Sequence, residues 1–187
     1  AIGLMVPSQI PLVKVKRATY NKDKLKCFSA GLGTSSSTSM FWLSGDDKDL
    51  EKIDVTAMEI REIKDKWALT RKPTLIFIGC PHCSLQEIKS IARELQGKRV
   101  RKDVKLLIST SRGVYAKASQ MGLSSIIRKA GAYLIKDTCL VVSPIKLSKS
   151  DVLLTDSAKT AHYAETMTNA MIAIGGRKQC LKEALEP

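Results

Sequence analysis

The sequence predicts an α/β protein with a mainly parallel sheet flanked by helices. Two observations carry this. From residue 70 onward, short apolar runs of strand type alternate with amphipathic stretches of helical period. Glycine, proline and polar breaks punctuate them, as at "TRKP" (70–73), Gly97 and Gly131. A length of 187 residues allows one domain or two small ones sharing a core.

Residues 1–20 read as extended, with two prolines. "NKDKLKCFSAGLG" (21–33) opens polar and ends in glycines, which suits a short helix with Asn21 near its cap. "TSSSTS" (34–39) is a loop leading into the apolar "MFWL". Residues 47–66 have helical spacing, with Ile53, Ala57, Ile60 and Ile63 near one face. "TLIFIG" (74–79) is a buried strand, and "SLQEIKSIARELQG" (84–97) an amphipathic helix capped by Ser84 with Glu87 completing a capping box. "VKLLIST" (104–110) is the next strand, and helices follow at 112–122 and 123–131. "AYLIKD" (132–137) is a strand that "CLVVS" (139–143) continues or follows. "SAKTAHYAETM" (157–167) is a helix, "NAMIAIGG" (169–176) a strand and "KQCLKEALE" (178–186) a last helix.

No apolar run approaches the roughly 20 residues that span a bilayer, so no membrane association is expected. The start is apolar and then basic, the reverse of a secretory leader, and no targeting segment is read. Five widely spaced cysteines, at 27, 80, 83, 139 and 180, do not fit a dense disulfide scaffold and favour a reducing, cytoplasmic setting. The net charge of +13 favours anionic partners. A basic RNA-binding module is one such reading. With only 5% aromatic residues to stack on bases, a nucleic-acid partner is not expected.

In an open parallel sheet, ligands bind at the carboxyl ends of the strands. Cys80, Cys139 and "TSR" (Thr110, Ser111, Arg112) each follow a predicted strand, and Cys180 follows another near the start of a helix. "GCPHCS" (79–84) suits a thioredoxin-like dithiol of Cys80 and Cys83, a thiol oxidoreductase. That reading explains neither Cys139 nor Cys180. Zinc prefers four ligands, and a second pair is missing. Three separated thiolates suit an iron–sulfur cluster with one open iron, and buried thiols remain a further alternative. In "LTDSAKTAHYA", Ser157, Lys159 and His162 crowd two helical turns and can bind an anion or move a proton, against the simpler reading of a capped, solvated helix.

Taken in order, "GCPHCSLQEI", "STSRGVYAKASQMG", "AGAYLIKDTCLVVSPI", "TDSAKTAHYAETM" and "QCLKEAL" resemble the catalytic large subunit of the aconitase X family. The upstream stretch from "VPSQIPLVKV" to "FWLSG" is similar to that family's middle region, so the resemblance covers nearly the whole chain. It implies Rossmann-like, aconitase-type units, and a chain corresponding to the C-terminal half of the large subunit. Residues 1–68 would be an N-terminal α/β segment of a larger domain, and 69–187 a Rossmann-like cluster-binding domain. The implied activity is that of a hydro-lyase acting on a small anionic hydroxy acid, mevalonate 5-phosphate ahead of cis-3-hydroxyproline. The implied cofactor is an iron–sulfur cluster (4Fe-4S or 3Fe-4S) held by Cys80, Cys139 and Cys180, with Cys83 a bystander and Cys27 in the core. Ser157, Lys159, His162 and His82 would carry proton chemistry, and Thr110, Ser111, Arg112 and Lys159 would contact substrate. The implied partners are a small swivelling subunit and the missing N-terminal half. Two positions depart from the family pattern: Trp42 stands where a histidine is usual, and "NSGK" reads "DSAK", with Asp156 and Ala158.

Overall fold

The computed structural model describes residues 1–15 and 20–186. It divides into two units, Ala1–Lys66 and Trp67–Pro187.

The first unit is lightly buried. A single helical turn, α1 (Ile2–Met5), stands where extended chain is expected, and residues 16–19 of that expectation lie outside the described residues. Helix α2 (Lys22–Ser35) is capped by Asn21, whose side chain accepts from Lys24 N at 2.9 Å. It runs two residues past Gly33, because the hydroxyls of Thr34, Ser35 and Ser36 bond back to carbonyls of its last turns. Cys27 is exposed on it, not in a core. A parallel bridge joins Leu12 to Trp42, whose ring is left exposed. Helix α3 (Ala57–Lys66) is shorter than the helical spacing of 47–66 suggests. It begins where Thr56 and Glu59 cap each other, so Ile53 falls outside it, and none of its residues is buried.

The second unit is built on one five-stranded sheet. Its strands are β1 (Leu75–Cys83), β2 (Lys105–Thr110), β3 (Tyr133–Lys136), β4 (Val152–Thr155) and β5 (Met171–Ile174). Their order is β3-β2-β1-β4-β5, and every neighbouring pair is parallel. Helix α4 (Leu85–Leu95) links β1 to β2, α5 (Arg112–Gln120) and α6 (Leu123–Lys129) link β2 to β3, and α7 (Ala158–Met167) links β4 to β5. Helix α8 (Arg177–Ala184) closes the chain.

Both sheet faces are buried, which is why the strands read as continuous apolar runs. Ile76, Ile78, Leu106 and Ile108 face one core with Ile88, Ile91 and Leu95 of α4 and Leu181 of α8. Leu75, Phe77, Leu107 and Leu153 face the other, with Ala161 and Ala164 of α7. The chain steps from β1 outward to β3, then returns to the far side of β1 with β4. The carboxyl ends of β1 and β4 therefore flank the switch point at which such sheets open a crevice.

Two expectations fail here. "CLVVS" is not a strand: it turns at Leu140, whose carbonyl accepts from Ser143 N (3.1 Å) and Oγ (2.7 Å). And β4 is an unanticipated strand. Its four residues are too few to show a period, and it is fixed by partners distant in sequence, with Thr74 Oγ1 receiving Val152 N and donating to Asp151 Oδ1, both at 3.1 Å.

Candidate functional site

The last part of β1 is irregular: its register with β2 breaks between Ile78 and Cys83. Gly79 takes φ 109°, and a Cβ there would lie 2.3 Å from Ser109 O, so only glycine lets β1 lie this close to β2. The Cys80–Pro81 peptide bond is cis. Cys80, half-buried, packs on the α7-side core, whereas Cys83 is buried in the α4-side core. The two cysteines therefore pack with different faces of the sheet, which does not favour the thiol oxidoreductase reading.

Cys139 packs against the same core as Cys80. Between them, Thr138 O lies 3.2 Å from His82 Nε2 and also accepts from Ser109 Oγ. The ends of β1, β2 and β3 are thus tied together around the two cysteines. Asp137, in the left-handed region at φ 52°, accepts from Arg112 N (2.9 Å) and Arg112 Nε (2.6 Å). Its hydrogen bonds from Arg112, opposed by slight burial, hold its carboxyl below the usual range.

A buried ionic group underlies the switch point. Arg177, first residue of α8, bonds Asp156 Oδ2 through Nε and Nη2, each at 2.9 Å, and Glu87 Oε1 through Nη2 at 2.7 Å. Burial pushes the Asp156 carboxyl up, while Arg177 and the Gly79 amide pull it back. Burial opposes the Arg177 charge, but Asp156, Cys83 and Glu87 outweigh it and hold the guanidinium above its ordinary value. One cation serving two buried acids accounts for both directions.

The expected substrate contacts divide sharply. Arg112 and Lys159 are exposed near strand ends. Thr110 is not open to a ligand: it is fully buried and donates to Cys83 O at 2.6 Å. Ser111 is the N-cap of α5, accepting from Val114 N. Ser157 is buried, capping α7 by accepting from Thr160 N at 3.0 Å and donating to Cys80 O. Its hydroxyl makes both of these structural bonds. His162 is half-buried, its ring edge-on to Tyr163 at 5.5 Å. A cavity of about 290 Å³ lies elsewhere, against Leu140, Ile145, Leu147 and Met167, and none of the candidate residues lines it.

A family model described as Aconitase X third domain matches residues 73–186, the whole sheet and its helices. The chain belongs to the aconitase X family. It is 34% identical to the phosphomevalonate dehydratase large subunit of Methanocaldococcus jannaschii, over 97% of this chain and 47% of that protein. It is 31% identical to the cis-3-hydroxy-L-proline dehydratase of Pseudomonas aeruginosa, over 98% of this chain and 35% of that protein. The crystal structure of holo-form aconitase X from Thermococcus kodakaraensis superposes with a TM-score of 0.84 at 28% identity, covering 98% of this chain and 49% of that one. The chain thus spans about half the length, or less, of the relatives it matches.

Cys180, the third thiolate that the resemblance implies, packs apart from Cys80 and Cys139. It is fully buried on the inner face of α8 in the α4-side core, with its Sγ 3.7 Å from Gly175 O. Burial and the nearby Asp156 push its thiol up to about 12. Among the described residues no group of three or more His, Cys, Asp or Glu side chains is placed to hold a metal ion. An iron–sulfur cluster is held by several thiolates, and of the three implied ligands Cys80 and Cys139 share the α7-side core while Cys180 lies with Cys83 in the other. The implied three-thiol set is therefore not assembled by these residues alone. Arg177, Asp137 and Ser109 were not singled out in the sequence. The one signal for them was position: each stands within three residues of a strand end.

Proposed function

We propose that this chain is the cluster-bearing part of an aconitase X-type hydro-lyase that dehydrates mevalonate 5-phosphate to anhydromevalonate phosphate. The observation that carries this is that Cys80, in the last part of β1, and Cys139, after β3, pack against the same core at the carboxyl side of the sheet in a chain of this family. These two thiolates are soft ligands suited to iron. The described residues do not supply the rest of the site. When bound, an iron–sulfur cluster supplies a Lewis acid for a substrate hydroxyl.

The chain's own residues bind and orient. Lys159 and Arg112, both exposed, suit a carboxylate and a phosphate, the two charges of the substrate. His162, one turn beyond Lys159, and His82 are the groups suited to move the proton next to the carboxylate. The doubly anionic substrate is preferred to zwitterionic cis-3-hydroxyproline because the chain carries +13 net charge. The partners in this reading are a small swivelling subunit and the polypeptide equivalent to the relatives' other half, in the cytoplasm.

The assembled complex should dehydrate mevalonate 5-phosphate, and proton NMR should show the alkene product. Lys159→Ala is expected to lower kcat/KM roughly 30- to 100-fold, about 2–3 kcal/mol for a charge-assisted contact. Equal rates on unphosphorylated mevalonate would remove the phosphate argument, and turnover of cis-3-hydroxyproline instead would replace the substrate.

A further inference from the structure

We propose that Arg177 is a positioning residue that fixes segment 79–84, the irregular end of β1, and with it Cys80, by bridging the two carboxylates beside the segment's two ends. At the leading end, Asp156 accepts from Arg177 Nε at 2.9 Å, and the Gly79 amide acts on its carboxylate. At the trailing end, Glu87 Oε2 accepts from Ser84 N at 2.8 Å, while Glu87 Oε1 lies 2.7 Å from Arg177 Nη2. One planar guanidinium therefore spans both flanks of the segment carrying Cys80, Pro81 and His82. Ser157, next to Asp156, adds a third tie through its hydroxyl bond to Cys80 O. The opposite side of the site has a separate anchor: Cys139 follows Asp137 and Thr138, which are held by Arg112 and Ser109. The His82 Nε2 contact to Thr138 O at 3.2 Å links the two sides, so Arg177 acts directly on the Cys80 side and on the Cys139 side only through His82.

The fork matters more than the charge. A lysine can neutralise either acid but cannot bond both in the planar, two-toothed geometry. The inference rests on Cys80 serving the proposed site, yet it concerns the geometry of this segment, which can be read with no cluster and no substrate.

The test is the alkylation rate of each cysteine by iodoacetamide, followed by peptide mass spectrometry, in wild type and Arg177→Lys. Cys80 should react at least about fivefold faster in the variant, while Cys139 stays within about twofold and Cys180 stays protected. Glu87→Ala, which removes only the trailing arm, should shift Cys80 in the same direction, and it decides the matter if Arg177→Lys fails to fold. An unchanged Cys80 rate in a folded variant would overturn the proposal. So would labelling of Cys180 in step with Cys80, which is what a general loosening of α8 gives. Loss of turnover with an unchanged Cys80 rate would leave the dehydratase reading standing and this inference refuted.

Discussion

Gly79 joins the fold to the site at the scale of a single residue. Its φ of 109° and the Ser109 carbonyl, which would lie 2.3 Å from a Cβ placed there, leave no room for a side chain. Gly79→Ala should destabilise the protein by about 3 kcal/mol or more, because backbone strain and a backbone clash add. A urea titration checks it, and a shift below about 1 kcal/mol would mean that β1 can slide away from β2. Asp156 makes a prediction about pH. Burial raises its folded-state pKa above the ordinary 3.8, so the folded chain takes up the proton first as pH falls. Its ionised form therefore weakens the fold at neutral pH, and that penalty is relieved as pH falls through the raised pKa toward 3.8. Asp156→Asn has no such relief. The stability of the variant minus that of wild type should decline between pH 7 and pH 4, and a flat difference would contradict the raised pKa. Asp137 and Asp151, whose pKa values are lowered, act only below 3.8, outside this window. Cys80 and Cys139 were legible in the sequence because each follows an apolar strand-like run. Cys180 was not, since its role depends on the phase of α8. The spacing of Cys180, Leu181 and Ala184 marks the helix's buried face.

At the scale of elements, the second unit was readable where local chemistry decides structure. The capping box of α4 forms in full, with Ser84 Oγ accepting from Glu87 N at 3.2 Å and Glu87 accepting from Ser84 N. Ser84→Ala should cost about 1 kcal/mol in thermal or urea unfolding. The loss should exceed that of Ser111→Ala, whose cap bond is 3.4 Å and has no reciprocal acid. Equal losses would show that the reciprocal arm contributes nothing. What could not be read was what tertiary partners impose. Strand β4 is held by Thr74 and by pairing with β1 and β5, none of which four residues can announce. "CLVVS" has strand composition but sends Leu140 into the α7-side core, and burying that side chain outweighs a β preference.

At the scale of the molecule, the two units differ in how much they bury. In Ala1–Lys66 the large side chains of Met40, Trp42, Met58 and Ile60 are exposed, and Val13 and Leu32 are its buried hydrophobics. The chain also spans about half the length of its relatives. These residues alone are therefore expected to show no dehydration of mevalonate 5-phosphate. Vigorous turnover by them in a spectrophotometric assay would refute a site completed by other polypeptides. We propose that Cys80 and Cys139 are this chain's contribution to an iron–sulfur site, while Cys180, buried in the α4-side core, is not. The direct measurement is iron and acid-labile sulfide retained after anaerobic reconstitution of the assembled complex, in wild type and in the Cys80→Ser, Cys139→Ser and Cys180→Ser variants. The account predicts retention in wild type and Cys180→Ser, and loss in the other two. Loss in Cys180→Ser with retention in Cys80→Ser or Cys139→Ser would contradict it.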